Sequence, residues 1–81
     1  MSLPDKLKVW RCKANDIWEV MFISNNGNLV YGRGVYQGPA HDMDRLLTHM
    51  DHCNMLHIAP AGMYAEFAKR RDASDLTKVP L

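Results

Sequence analysis

The chain has 81 residues, a formal net charge of +1 and two cysteines, Cys12 and Cys53. A chain of this length holds one domain and buries only roughly 60% of its unfolded surface on folding, which argues against a deep cleft between lobes. With 47% hydrophobic and 23% charged residues, its composition is that of a globular domain rather than a disordered tail.

Residues 1–81 read as a single domain, with residues 1–5 and 72–81 as flexible ends. Leu7 to Lys13 reads as a first strand. Ile17 to Ser24, rich in β-branched and aromatic side chains, reads as a second. Ala14-Asn15-Asp16 supplies the turn between them. The Asn26-Gly27 pair favours the positive φ values of a two-residue hairpin turn, after which Leu29 to Gln37 returns antiparallel. Gly38-Pro39 stops the sheet and starts a helix. Met43, Leu46, Leu47, Met50 and Cys53 form one apolar stripe on that helix, with Asp42 and Asp44 in its first turn. Met55 to Ala59 is either the last turn of this helix or a short fourth strand. Pro60 then opens a second helix with Met63, Tyr64 and Phe67 inward, ending near Lys69-Arg70-Arg71. The fold class is α+β: a three-stranded antiparallel meander, a helix and a second short helix.

Charge is unevenly spread. Residues 1–38 carry Lys6, Lys8, Arg11, Lys13 and Arg33 against Asp5, Asp16 and Glu19; residues 39–57 carry Arg45 against Asp42, Asp44 and Asp51, and hold all four histidines. No block of like charge indicates a purely electrostatic grip on nucleic acid or membrane. The apolar runs are short, Val20 to Ile23 being typical, whereas a membrane-spanning helix needs ~20 such residues. Two cysteines and no signal-peptide pattern make a reducing cytoplasm the expected location.

Two-residue turns at Asn15-Asp16 and Asn26-Gly27 would assign every strand residue to a face, because alternate side chains point oppositely. One face then carries Trp10, Cys12, Ile17, Met21, Ile23, Val30 and Tyr36, with Gly32 and Gly34 between them, and is assigned to the helices. Glu19 falls on this face too, opposite Cys12 and Gly34, where it needs an edge position or a partner, and this counts against the register. The opposite face carries Arg11, Lys13, Trp18, Phe22, Tyr31 and Arg33 with Leu7, Val9, Val20, Leu29 and Val35. Apolar, aromatic and cationic together, it is expected to bind a partner, and Arg11, Lys13, Trp18, Phe22, Tyr31 and Arg33 are its candidate contacts. The alternatives are a homodimer face, or ordinary core with the cations reaching out to the rim.

His49, Cys53 and His57, at i, i+4 and i+8, are the candidate metal ligands, since imidazole and thiolate suit zinc. Four ligands and a paired cysteine motif are lacking, so no metal or other cofactor is expected. A nucleophilic pair can be built from Cys53 with His49 or His57, and an acid–base pair from Asp42 or Asp44 with His41, but catalysis further needs an orienting group, a site for developing charge and a water-excluding pocket, so no enzyme is expected in so small a chain. Gly32-Arg33-Gly34 lies within a strand and lacks the lysine and following helix of a phosphate loop.

The meander-then-helix layout resembles the sheet-reading DNA-binding domains, with Arg11, Lys13, Trp18 and Arg33 at the matching positions. Three cations without a basic surround give few of the phosphate contacts on which such binding rests. The stretch from Trp18-Glu19-Val20 through Asn26-Gly27, Val30, Gly32-Arg33 and Pro39 into a helix is also similar to small phage-encoded anti-CRISPR proteins. That resemblance implies a stoichiometric inhibitor from a phage or prophage, occupying a surface of a host protein complex in the host cytoplasm. The expected function is binding to a protein through the sheet face, with nucleic acid as the alternative partner and no membrane.

Overall fold

Turn chemistry decides the sheet. In the computed structural model, which describes residues 9–74, β1 (Trp10–Ala14) and β2 (Ile17–Ile23) are joined through Asn15, whose φ is 56°. The pairing runs from Trp10 opposite Met21 to Ala14 opposite Ile17, the register expected from a two-residue turn. The next connection differs from expectation. Gly27 donates its N–H to the Ser24 carbonyl at 2.9 Å and sits at φ 86°, and Ser24 N–H donates to the Asn28 carbonyl at 2.8 Å. The loop therefore has three residues, Asn25 to Gly27, with glycine in the left-handed position that such hairpins require. As a result β3 (Leu29–Val35) is shifted by one residue, with Met21 opposite Tyr31 and Glu19 opposite Arg33.

That shift exchanges the two faces of β3, because side-chain direction alternates along a strand. Val30 joins Trp18, Val20 and Phe22 on one face; Leu29, Tyr31, Arg33 and Val35 join Cys12, Glu19 and Met21 on the other. The sheet is completed by β4 (Leu56–Ile58), antiparallel to β3, so the four strands lie in the order β1-β2-β3-β4. Met55 to Ala59 thus resolves as a strand rather than a last helical turn.

Helix α1 (Met43–His52) covers the first face. It starts not at Gly38-Pro39, which only turns the chain (Asp42 N–H on the Pro39 carbonyl at 3.2 Å), but at Asp42, whose carboxylate accepts the Arg45 N–H at 3.1 Å, satisfying one of the free donors of the first turn. Met43, Leu46, Leu47 and Met50 bury the predicted stripe against Val9, Trp18, Val20, Phe22, Val30 and Tyr36. Cys53 is not part of that stripe; it is the C-cap and is exposed. Asn54 follows at φ 56°, with Asn54 N–H on the Asp51 carbonyl at 3.1 Å and Met55 N–H on the Met50 carbonyl at 2.8 Å. This paired closure reverses the chain and drops Met55 and Leu56 onto the strand glycines. A Cβ at Gly32 would lie 2.6 Å from Leu56 Cδ2, and one at Gly34 would collide with Met55 Sδ, so both positions are glycine for close approach.

Helix α2 (Met63–Ala73) lies on the opposite face, beginning after a Pro60-to-Gly62 turn rather than at Pro60 itself. Gly62, at φ 83°, is its N-cap. Phe67 is fully buried with Cys12, Met21 and Tyr31; Trp10, Leu29, Ala59 and Met63 pack around them. Tyr64, expected inward, is 46% exposed and meets the Trp10 ring edge-on at the margin. The helix runs through Asp72, so residues 72 and 73 are helical rather than a flexible end; the expectations for residues 1–5 and 75–81 lie outside the described residues, as does the predicted strand start at Leu7. Among the described residues no helix is long and apolar enough to cross a membrane.

Trp18 is 1% exposed, stands edge-on to Tyr36, and donates its indole N–H to the Tyr36 carbonyl at 3.1 Å. Trp18→Ala should therefore destabilise the domain by about 3–5 kcal/mol. The measurement is a lowered denaturant midpoint at unchanged slope.

Candidate functional site

The six residues expected to form one binding face do not share one. Trp18 and Phe22 lie beneath α1, while Tyr31, 5% exposed, and Arg33 stand on the α2 side. The expected uncovered face is covered because the one-residue shift leaves Trp18, Val20 and Phe22 in line with Val30, and α1 rather than α2 packs there. Its two cations sit on the rim. Lys13 Nζ lies 5.4 Å from the centre of the Trp18 ring, and Arg11 Nη1 donates to the Ala40 carbonyl at 2.9 Å. Partial burial lowers the Arg11 pKa from its usual value. These are cations snorkelling over a core.

The histidines and Cys53 also separate. His49 is docked on the sheet, with Nε2 3.1 Å from the Val35 carbonyl and its ring against Tyr36 at 5.6 Å. His57 belongs to β4 and faces the α2 side, its ring 5.7 Å from that of Tyr31. The reversal at Asn54 breaks the i, i+4, i+8 relation. Among the described residues no group of three or more His, Cys, Asp or Glu side chains is placed to hold a metal.

The cluster that sequence spacing did not reveal is centred on Glu19. This carboxylate, on the inner strand β2, is 4% exposed. Arg70 donates Nε at 2.7 Å to Oε2 and Nη2 at 2.6 Å to Oε1; Tyr31 donates its hydroxyl to Oε1 at 2.5 Å; Cys12 Sγ lies 3.4 Å from Oε2. Burial alone would raise the Glu19 pKa, but the hydrogen bonds from Arg70, Tyr31 and Cys12 hold it below its ordinary value. Burial, reinforced by the neighbouring carboxylate, pushes the Cys12 thiol and the Tyr31 phenol each up to about 12. The hydrogen-bonded Glu19 carboxylate raises the Arg70 pKa above its ordinary value. The cluster ties α2 to the sheet, with every titrating member driven away from neutrality.

Beside it lies the part of this face left open by the described residues. α2 crosses toward the β1 edge, Tyr64 touching Trp10 and Ser74 Oγ accepting the Lys13 N–H at 3.4 Å. Past its other flank Arg33 and His57 are exposed, Val35 is 52% exposed and Ile17 is half-buried. A groove of about 360 Å³, lined by Tyr31, Arg33, Met63 and Arg70, runs between this strip and the helix. Comparison with protein-family models, curated proteins and solved structures finds no match for this chain.

Arg70 and Glu19 should respond unequally to substitution. The Arg70 side chain is 42% exposed and its carboxylate partner 6%, so Arg70→Met strands a buried charge whereas Glu19→Gln frees a cation that can turn to water. Arg70→Met should destabilise by about 3 kcal/mol, near the low end for broken buried pairs, and Glu19→Gln by clearly less. Equal losses in denaturant unfolding would contradict this. The contribution of Glu19 is present above the ordinary carboxylate range and lost as pH falls through its lowered value. Cys12 and Tyr31 contribute the reverse: full stabilisation below their unfolded values near pH 8.5 and 10, lost as pH rises toward about 12. Unfolding followed against pH should show both limbs, and Cys12→Ala with Tyr31→Phe should flatten the alkaline one.

Proposed function

We propose that this chain is a small binding protein that works by occupying the surface of a partner protein and performs no catalysis of its own. The observation that carries this reading is the strip beside α2 that no described residue covers, where Val35 is 52% exposed next to the exposed Arg33 and the half-buried Ile17. Apolar area interrupted by an arginine is the composition of protein-binding surfaces. The interior carboxylate, thiol and phenol support the same reading, since acid–base catalysis near neutrality calls for groups tuned toward the working pH and these are tuned away from it. A protein is favoured over nucleic acid because Trp18 and Phe22, the aromatic side chains that would stack on bases, are buried under α1. The layout resemblance makes a phage-type inhibitor of a host nuclease complex the first identity to test.

The chain should capture its partner in a stoichiometric complex. Arg33→Glu and Val35→Asp should each weaken that complex at least about tenfold, equivalent to about 1.4 kcal/mol, with the melting temperature nearly unchanged. Binding measured against salt concentration should weaken only modestly, as for a few screened charge contacts; a steep logarithmic fall would replace the protein partner with nucleic acid. Loss of the complex together with the fold would show that the strip is structural, and a dimer in sedimentation at low concentration would make the partner a second copy.

A further inference from the structure

The groove between β3 and α2 has a charge imbalance of its own. Tyr31 and Arg33 alternate on β3 and both stand on the α2 side, Arg33 directly across from Glu19. Both oxygens of Glu19 are already taken by Arg70, Tyr31 and Cys12. Arg33 consequently has no ion-pair partner among the described residues. Arg70 spends Nε and Nη2 on Glu19, while its Nη1 faces only Glu66 at 3.7 Å, a side chain 71% exposed. The groove thus presents one unpaired guanidinium and the outward edge of a second, held in place by a buried carboxylate. Met63 gives it a soft apolar lining, and Val35 continues the apolar surface two positions along the strand.

We infer that this groove receives a carboxylate side chain of the partner protein, seated between Arg33 and Arg70, with an apolar neighbour of that residue lying on Met63 and Val35. The inference rests on the reading of the chain as a protein-binding module and names the chemistry its partner supplies. Guanidinium groups match a carboxylate through parallel N–H donors, and Arg33 has all of its donors uncommitted among the described residues. A nucleic-acid backbone fits less well, because two guanidiniums in a groove otherwise lined by Tyr31 and Met63 offer few phosphate contacts. Glu66 is the carboxylate that an incoming one displaces.

The test is a two-dimensional NMR titration of the full chain with the blocked peptide acetyl-Leu-Glu-Leu-amide and, separately, its glutamine counterpart. The glutamate peptide should shift the side-chain Nε–Hε signals of Arg33 and Arg70, and the glutamine peptide should not. Arg33→Gln should weaken the glutamate peptide about tenfold or more, whereas Glu66→Gln should tighten it, an effect that no structural role of Glu66 would produce. Equal shifts with both peptides, an unmoved Arg33 signal in the folded protein, or an unaltered affinity in Arg33→Gln would each overturn the inference. So would an oligothymidylate that binds the groove more tightly than the peptide with a steep salt response. If Val35→Asp abolishes partner capture while the peptide leaves Arg33 unmoved, the groove assignment fails and the binding function stands. If the peptide binds as described but Arg33→Glu and Val35→Asp leave partner capture intact, the groove stands as a carboxylate site and the proposed surface fails.

Discussion

The hydrogen bond from Gly27 N–H to the Ser24 carbonyl fixes the connection between β2 and β3 at three residues, and the two faces of the sheet follow from it. With Gly27 at φ 86°, the chain re-enters the sheet so that Tyr31 stands on the same side as Glu19 and Val30 on the same side as Phe22. A register one residue away would turn Tyr31 toward α1, deprive Glu19 of a hydroxyl donor, and move Gly32 and Gly34 to the face that Met55 does not reach. The three-residue loop is thus the condition under which a buried carboxylate, a close-packed helix return and an apolar α1 face coexist.

The two helices are attached by different physics. α1 buries a continuous stripe of four apolar side chains, Met43, Leu46, Leu47 and Met50, on an apolar face. Such contact is strong but weakly directional. α2 buries Phe67 alone completely, and its position is specified by the fork of Arg70 on Glu19. A buried ion pair adds little net stability compared with a well-packed apolar replacement, because both groups are desolvated. What the pair does here is discriminate. Any placement of α2 that moved Arg70 off Glu19 would leave a charge buried on the inner strand β2, so the helix has one acceptable seat although its apolar grip is slight.

Local features carried the reading of the sequence where one residue type meets one requirement. Asn15 supplies the first turn and its register. Met43, Leu46, Leu47 and Met50 declare the buried side of α1, although the helix starts at Asp42 and not at Gly38-Pro39. Asn26-Gly27 was ambiguous for a physical reason: glycine at the end of an Asn-Gly pair serves both a two-residue turn and a three-residue loop that closes with a left-handed glycine. The register difference carries Tyr31 and Arg33 to the other face, because face assignment inherits register, while Trp18 and Phe22 keep their expected face and differ only in lying under α1. Glu19 held the corrective signal, since it lacked a partner in the two-residue register. Its partner, Arg70, is 51 positions away in the chain, and no periodicity links the two. The proposed metal ligands failed through Asn54, whose φ of 56° ends the helix before His57 and turns that residue onto another strand.

The unevenness of the α2 face also has a geometric origin. Four strands at about 4.8 Å spacing present a sheet wider than the ~10 Å that one helix covers. On the α1 face the shortfall is met by Tyr36, Met55 and Leu56 packed around the core, with Arg11 and Lys13 laid along the rim. On the α2 face the helix is drawn toward β1 and β2, because Glu19 and Cys12 lie there and Arg70 must reach them. Among the described residues, nothing lies over Val35 and Arg33 as α1 lies over Trp18. The interaction that seats α2 therefore also displaces it from β3, and the same arginine that neutralises Glu19 forms one wall of the groove left beside it. In this chain the buried ion pair and the open strip are two consequences of where one helix has to sit.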